Sequence, residues 1–303
     1  MPIQRTMVSL RAPVSVIVLT FNEERNISAS LESVAGWAAQ ICIVDSGSTD
    51  RTTAIAKQFG AQVFSHPFES HARQWQWAIT SLPLEHEWVL ALDADQSLTP
   101  ALRDDIARKL PTWVGDTKPA GAYLNRRQIF RGRWIRHGGY YPKYLLKLFR
   151  RAAVSLDDGD RVDHHFLVEG PTVLLDGDLI EDNRNESAIA VWIDKHNRYA
   201  ALQALEEEAG ERRSGRLFGS PDERTEWRKR IWRHLPLFVR PFLYFFYRYV
   251  VRLGFLDGKE GFVFHFMQAC WYRLLVDVNR DELRRSPQKD STRSSERALQ
   301  LDR

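Results

Sequence analysis

Sulfur is scarce in this sequence: its 303 residues hold two cysteines, Cys42 and Cys270, each inside an apolar run. That excludes a disulfide scaffold and a cysteine-built zinc site, and it points to buried, reduced thiols. No apolar run reaches the length of about 18–20 residues that an ordinary transmembrane helix needs. The N-terminus has no apolar signal segment of ordinary length. No Gly-x-Gly-x-x-Gly follows the first apolar run, so the usual dinucleotide fingerprint is missing. No segment repeats. What remains is a globular chain of one large or two small domains, expected in the cytoplasm.

Hydrophobic residues make up 44% of the chain, enough for a sizeable core. The net charge of +4 is modest but unevenly placed: between residues 212 and 252 eleven Lys/Arg face three acids, Asp222, Glu223 and Glu226. Such a segment favours anionic partners such as phospholipid head groups or phosphorylated lipids. Its aromatics are clustered rather than interleaved with glycine, and no RNA-binding module is evident, so nucleic acid is not an expected partner.

Short β-branched runs at 14–20 (VSVIVLT), 41–45 (ICIVD), Gln62–Ser65 and 88–92 (WVLAL) read as strands. Between and after them, helical stretches are expected from Asn22 to 34, from Asp50 to 59, over 72–80 and over 99–110, the last with Thr99 as N-cap and Pro100 at the first position. This alternation predicts βαβ units and a mostly parallel sheet flanked by helices. Thr20, Asp45, Asp93 and Asp95 would then line one crevice at the carboxyl ends of the strands, where open α/β sheets bind ligands. Asp93 and Asp95, one residue apart at a strand end, could grip a hard divalent cation bridging a diphosphate. They could equally solubilise a strand-to-helix turn.

Three motifs, SVIVLTFNEE (15–24), IVDSGSTDR (43–51) and LALDAD (90–95), resemble in order and spacing the GT-A glycosyltransferases of family 2. The resemblance implies a Rossmann-like GT-A fold. It implies Thr20, Asn22, Glu23 and Asp45 around the base and ribose of a nucleotide-sugar donor. It also implies Asp93 and Asp95 holding Mg2+ or Mn2+ on the donor diphosphate, with Asp93 near the nucleotide. Helix capping is the other reading of Asn22 and Asp50. Where relatives carry an aromatic-x-Gly loop and a Gln-Lys/Arg-Asn triplet, this chain has Ser70 and Gln74-Trp75-Gln76. Arg73 and Gln74 either touch the donor or belong to a helix anchored by Trp75 and Trp77.

The stretch GRWIRHGGYYP (132–142), followed by LFR (148–150), resembles the lipopolysaccharide-core and exopolysaccharide members of the family. Arg133, Arg136 and His137 offer donors to phosphate or hydroxyl groups, and Trp134 offers a face to a sugar ring. An acceptor-side role is expected, against an ordinary long loop. Asp163-His164-His165 stands where many relatives have His-Glu, and His164 is a candidate metal ligand. An inverting transfer needs a carboxylate to take the proton of the attacking hydroxyl. Asp182 fits the place the family gives it, with Glu181 second and Asp163 third. WIDKHNRYA (192–200) resembles the same relatives, so the similarity passes residue 200.

The polar, glycine-rich segment from 210 to 220 suggests a boundary. The expected organisation is a lead-in at 1–13, the GT-A domain at 14–210, a basic aromatic helical extension at 211–285 and a disordered tail at 286–303. Arg233, Arg240, Arg248 and Arg252 keep helical spacing and would form one basic stripe beside an aromatic face. Such a helix pair reads as lying in a membrane interface, or as packing on the domain or on another copy of the chain. Together these features predict a membrane-associated inverting glycosyltransferase, peripheral at the inner face of the plasma membrane, acting on a lipid-linked saccharide. The alternative is a non-catalytic nucleotide-sugar-binding or docking scaffold.

Overall fold

The computed structural model describes residues 11–113, 118–156, 165–210 and 215–285. Its centre is a nine-stranded sheet. Strands β1 (Ala12–Thr20), β2 (Ala38–Asp45), β3 (Gln62–Ser65) and β4 (Trp88–Asp93) come first in the chain. They are followed by β5 (Gln96–Leu98), β6 (Gly121–Phe130), β7 (Arg133–Ile135), β8 (Tyr144–Arg150) and, after a small hairpin of β9 (Val154–Leu156) and β10 (Phe166–Val168), by β11 (Thr172–Glu181). The order is β3-β2-β1-β4-β8-β6-β11-β5, with β7 added to β6. The first four are parallel, β8 runs against them, β6 and β11 return to their direction, and β5 and β7 oppose it. Six of the nine strands therefore run one way, as the alternation of strand and helix predicts.

The continuous apolar runs exist because both faces of the sheet are covered. Val14, Val16, Val18, Leu90 and Leu92 point to one face, under helices α1 (Ile27–Val34) and α4 (Pro100–Lys109). Ile17, Val44, Val89 and Ala91 point to the other, under α3 (His71–Ser81), whose Trp75 is fully buried. Helix α2 (Thr52–Gln58) completes the flank. Thr99 caps α4 through Leu102 N–H, with Pro100 next to it, as expected. Asp50 accepts from both the N–H and the hydroxyl of Thr52 at the head of α2. Asn22 does not cap α1. That helix starts at Ile27, and Asn22 sits in the left-handed region at φ 54°. The turn is set by its side-chain oxygen, which accepts from Thr49 N–H at 2.8 Å.

Helix α5 (Ile189–Glu208) leads into α6 (Pro221–Arg233), α7 (Arg240–Phe246), α8 (Gly258–His265) and α9 (Tyr272–Arg285). The sequence reading did not anticipate α6, which begins in a capping box of Ser220 and Glu223. The expected basic stripe does not form. The helix breaks between Arg233 and Arg240, and Arg240 is wholly buried, bonded to Asp277 at 2.6 Å and Glu207 at 2.9 Å. An apolar segment that must dock on α5 and α9 needs its charge neutralised inside, so the arginine turns inward. Ala200, Ala204, Tyr272 and Val276 form the joint between α5 and α9. The outward face of this region is the aromatic one. No described helix is long and apolar enough to cross a membrane.

Candidate active site

Register places the ends of β1, β2 and β4 on one edge: Thr20 lies beside Asp45, and Leu19 beside Asp93. Thr20 Oγ1 donates to Asp45 Oδ1 at 3.0 Å. Asp45 also accepts from the N–H groups of Gly47 and Ser48 and from the Ser48 hydroxyl. It is buried and shapes the loop after β2. Asn22 and Glu23 close the neighbouring wall. Glu23 accepts from Asn26 at 2.7 Å and Asn185 at 3.0 Å, and burial raises its pKa. Gln74 bridges to Ser46 at 3.1 Å and to His66, so α3 is tied to the same loop. Arg73 is exposed and pairs with Glu69, which precedes the helix.

The acids cluster beside this wall. Lys147, buried on β8, donates to Asp93 Oδ2 at 2.8 Å. The Asp95 carbonyl accepts from Asp182 N–H at 3.0 Å, which puts the end of β11 against the Asp-x-Asp turn. Burial raises the pKa of Asp95 well above the carboxylate range, and the charges of Glu181 and Asp93 push it further. Glu181 is held by Arg126 at 3.0 Å and Gln96 at 2.9 Å. Asp182 is partly exposed, with Arg184 at 3.5 Å. Lys195 on α5 pairs with Glu186. Burial opposes its charge, but Tyr199, Glu186 and Asp95 outweigh that and hold its pKa above the usual lysine value.

A divalent cation fits these residues. Three acids, Asp93, Asp95 and Glu181, repel one another, and an ammonium already sits on one of them. Carboxylate oxygens are the donors that Mg2+ and Mn2+ prefer. Among the described residues no three His, Cys, Asp or Glu stand ready as a cage. His164, the other candidate ligand, and Asp163 lie outside the described residues.

The acceptor-side candidates gather at the far end of β6 and β11. Asp178 is the anchor there, accepting from Asn125 at 2.8 Å, Arg127 at 2.7 Å and the Tyr141 hydroxyl at 3.0 Å. It is brought into place by a bulge at Gly177, where a Cβ would stand 2.4 Å from the Leu102 backbone nitrogen. Trp134 packs edge-on against Tyr141, with the guanidinium groups of Arg127 and Arg136 at 4.6 and 5.3 Å from its ring. Its indole N–H is buried without a partner. His137 turns toward the C-terminal region, where its backbone N–H bonds Asp257 at 2.8 Å and its Nδ1 meets the same carboxylate at 2.7 Å. Arg133 is exposed and lies over Gly258.

Lys147, Lys195, Gln96 and Arg126 were not among the expected site residues. Lys147 is a lone charge inside the apolar strand YLLKLFR, and a charge so placed needs a partner. Lys195 lies in the KHNRY stretch already matched to relatives, to which no role was attached.

The profile of Glycosyl transferase family 2 matches residues 15–161. Over that segment the chain is similar to the family 2 glycosyltransferases. It is 27% identical over 284 residues to the lipopolysaccharide core biosynthesis glycosyltransferase LpsC of Rhizobium meliloti, covering 86% of this chain and 92% of that protein. An uncharacterized glycosyltransferase of Rickettsia felis is 38% identical over 93 residues, 31% of this chain. The match spans about a third of that relative's length, 32%. Among solved structures, the mannosyltransferase PcManGT of Pyrobaculum calidifontis, in complex with GDP-Man and Mn2+, aligns over 89% of this chain and 87% of its own at 16% identity and TM-score 0.48. S. aureus TarS 1-349 with UDP-GlcNAc aligns over 91% and 93% at 16% identity and TM-score 0.43.

Proposed function

We propose that the protein is an inverting glycosyltransferase that moves a sugar from a nucleotide diphosphate sugar, a uridine diphosphate sugar as the first choice, to a lipid-linked saccharide of the cell envelope. The observation that carries this reading is the meeting of the Asp-x-Asp turn with the end of β11, through Asp182 N–H and the Asp95 carbonyl at 3.0 Å. It supports a reading in which the leaving-group site adjoins the candidate base. Thr20, Asn22, Glu23 and Asp45 form the nucleotide wall, with Gln74 behind it. Asp93 and Asp95 would hold Mg2+ or Mn2+, which supplies positive charge to the departing diphosphate.

Asp182 is the better base of the two acids at the end of β11. Arg126 and Gln96 engage both oxygens of Glu181, whereas the Asp182 side chain is 39% exposed. Asp182 takes the proton of the acceptor hydroxyl as its oxygen attacks the anomeric carbon and the bond to the diphosphate breaks. Lys147 and Lys195 add positive charge to the crevice. Trp134, Arg133, Arg136 and His137 receive the acceptor. The similarity to LpsC over most of the chain supports an envelope saccharide as acceptor. The exposed aromatic surface of the C-terminal helices supports work at the inner face of the plasma membrane.

The test is Asp182→Asn. Transfer from the donor should fall at least a hundredfold, the usual contribution of a general base. The thermal shift produced by nucleotide with Mn2+ should persist. Transfer at the unaltered rate would remove Asp182 from this role, and absence of any nucleotide-dependent shift in the wild type would end the enzyme reading.

A further inference from the structure

Among the described residues, thirteen of the 22 exposed large hydrophobic side chains fall within residues 238–266. Such a concentration of exposed apolar side chains in one helical region points to an interaction surface. At its border the Gly138-Gly139 turn is cradled by the C-terminal region. Gly138 N–H bonds the Arg252 carbonyl at 2.9 Å, and its carbonyl accepts from Arg248 at 2.8 Å. A Cβ on Gly139 would stand 3.6 Å from the Arg252 guanidinium carbon and 3.7 Å from Arg248 Nη1. A Cβ on Gly258, next to the Asp257 that binds His137, would stand 3.7 Å from the Arg133 guanidinium carbon.

The charge here is unbalanced. Elsewhere in the same region arginines are neutralised: Arg240 by Asp277 and Glu207, Arg280 by Glu207 and Glu208. Among the described residues, neither Arg133 nor Arg252 meets a carboxylate within ion-pair distance. Arg252 reaches only the Tyr247 hydroxyl, at 3.4 Å. Arg248 bonds Gly138 and Tyr244, and its Nε is buried without a partner. The nearby Asp257 is buried and occupied by both N–H groups of His137. Arg248 and Arg252 beside the two glycines, with Arg133 over the neighbouring Gly258, supply positive charge that suits a phosphate, and the exposed Arg252 leaves a guanidinium edge for it. The exposed residues flanking Arg252 in the chain, Val251, Leu253, Phe255 and Leu256, place that phosphate at the level of a lipid head group.

We propose that Arg248 and Arg252 beside Gly138-Gly139, with Arg133 over the neighbouring Gly258, bind a lipid-borne phosphate of the acceptor. This rests on the lipid-linked acceptor reading and adds the group by which such an acceptor is recognised. The aromatic face enters the interface, the arginines take the phosphate, and the saccharide extends past Trp134 toward Asp182.

The experiment is flotation of the full chain with neutral phosphatidylcholine vesicles, with vesicles also containing phosphatidic acid, and with the latter plus inorganic phosphate. The wild type should favour phosphatidic acid vesicles, and inorganic phosphate should compete poorly. Arg133→Gln with Arg252→Gln should lose tenfold or more of that preference, about 1.4 kcal/mol, while Phe242→Ser with Phe246→Ser should lose binding to both vesicle types. Equal flotation of the arginine variant, no preference for phosphatidic acid, or full displacement by inorganic phosphate would each overturn the proposal. Both residues are exposed, and Arg252→Gln alone serves if the double variant fails to fold. The thermal shift by uridine diphosphate with Mn2+ is read in parallel: its loss in the wild type counts against the donor reading, not against the phosphate site.

Discussion

Replacing Lys147 by Met tests the electrostatics of the crevice directly. The ammonium lies 2.8 Å from Asp93, and its side chain is only 6% exposed against 38% for Asp93. Breaking a fully buried pair costs about 3–5 kcal/mol, and breaking an exposed one costs about 0.2–1 kcal/mol. This half-exposed pair should fall between, about 1–3 kcal/mol in a denaturant titration, and Met preserves most of the side chain's packing volume. The informative change is in cation binding. An ion approaching Asp93 must now displace an ammonium, and like charges about 4 Å apart near a protein surface repel by roughly 4 kcal/mol per unit-charge pair. Recovering even a third of that tightens Mn2+ about tenfold. Titration calorimetry without nucleotide should therefore show tighter Mn2+ binding by Lys147→Met, while uridine diphosphate binds more weakly and Lys147→Arg behaves as wild type. A folded Lys147→Met protein with unchanged or weaker Mn2+ affinity would refute the reasoning.

Three further outcomes are expected. The raised pKa of Asp95 means that its contribution to stability is fully present below the unfolded value of about 3.9 and is lost as pH rises through the higher folded value. Asp95→Asn should therefore raise the melting temperature of the metal-free protein at neutral pH, remove its response to Mn2+, and make little difference in acid; melting curves against pH with and without Mn2+ check this. Arg240→Met leaves Asp277 buried without its counter-ion, while Glu207 keeps Arg280, and should cost about 3–5 kcal/mol in chemical denaturation, with Asp277→Asn recovering part of it. Gly138→Ala puts a Cβ 2.0 Å from the ring of buried His265 at φ +69°, so a loss of about 2–4 kcal/mol is expected from overpacking and left-handed strain together, seen as a lower melting temperature.

Periodicity and composition made the first four strands legible, whereas β6, β7 and β8 lie in a stretch not read as strands. Runs such as VSVIVLT and WVLALD are too apolar to face water on either side, so they must be buried strands, and the intervening segments carry their own capping residues. Gln62–Ser65 forms a strand with the bounds read from the sequence, and Thr99-Pro100 opens its helix. The C-terminal region was less legible. The spacing of Arg233, Arg240, Arg248 and Arg252 fits a stripe only if one helix runs through all four, and the break before Arg240 depends on docking against α5 and α9. Lys147 and Asp257 acquire their partners from segments distant in the chain, 54 residues away for Lys147 and 120 for Asp257.

The order of residues alone determined where the first four strands and the capped helix at Thr99 lie, which strand ends carry acids, and that an aromatic, basic segment follows, because hydrophobic pattern and capping act over a few neighbours. Only the folded chain decided which acids face one another, which arginines are neutralised and which keep their charge at the rim of the aromatic face. Those outcomes depend on burial and on charges meeting across the sheet, and both arise from contacts between segments far apart in sequence.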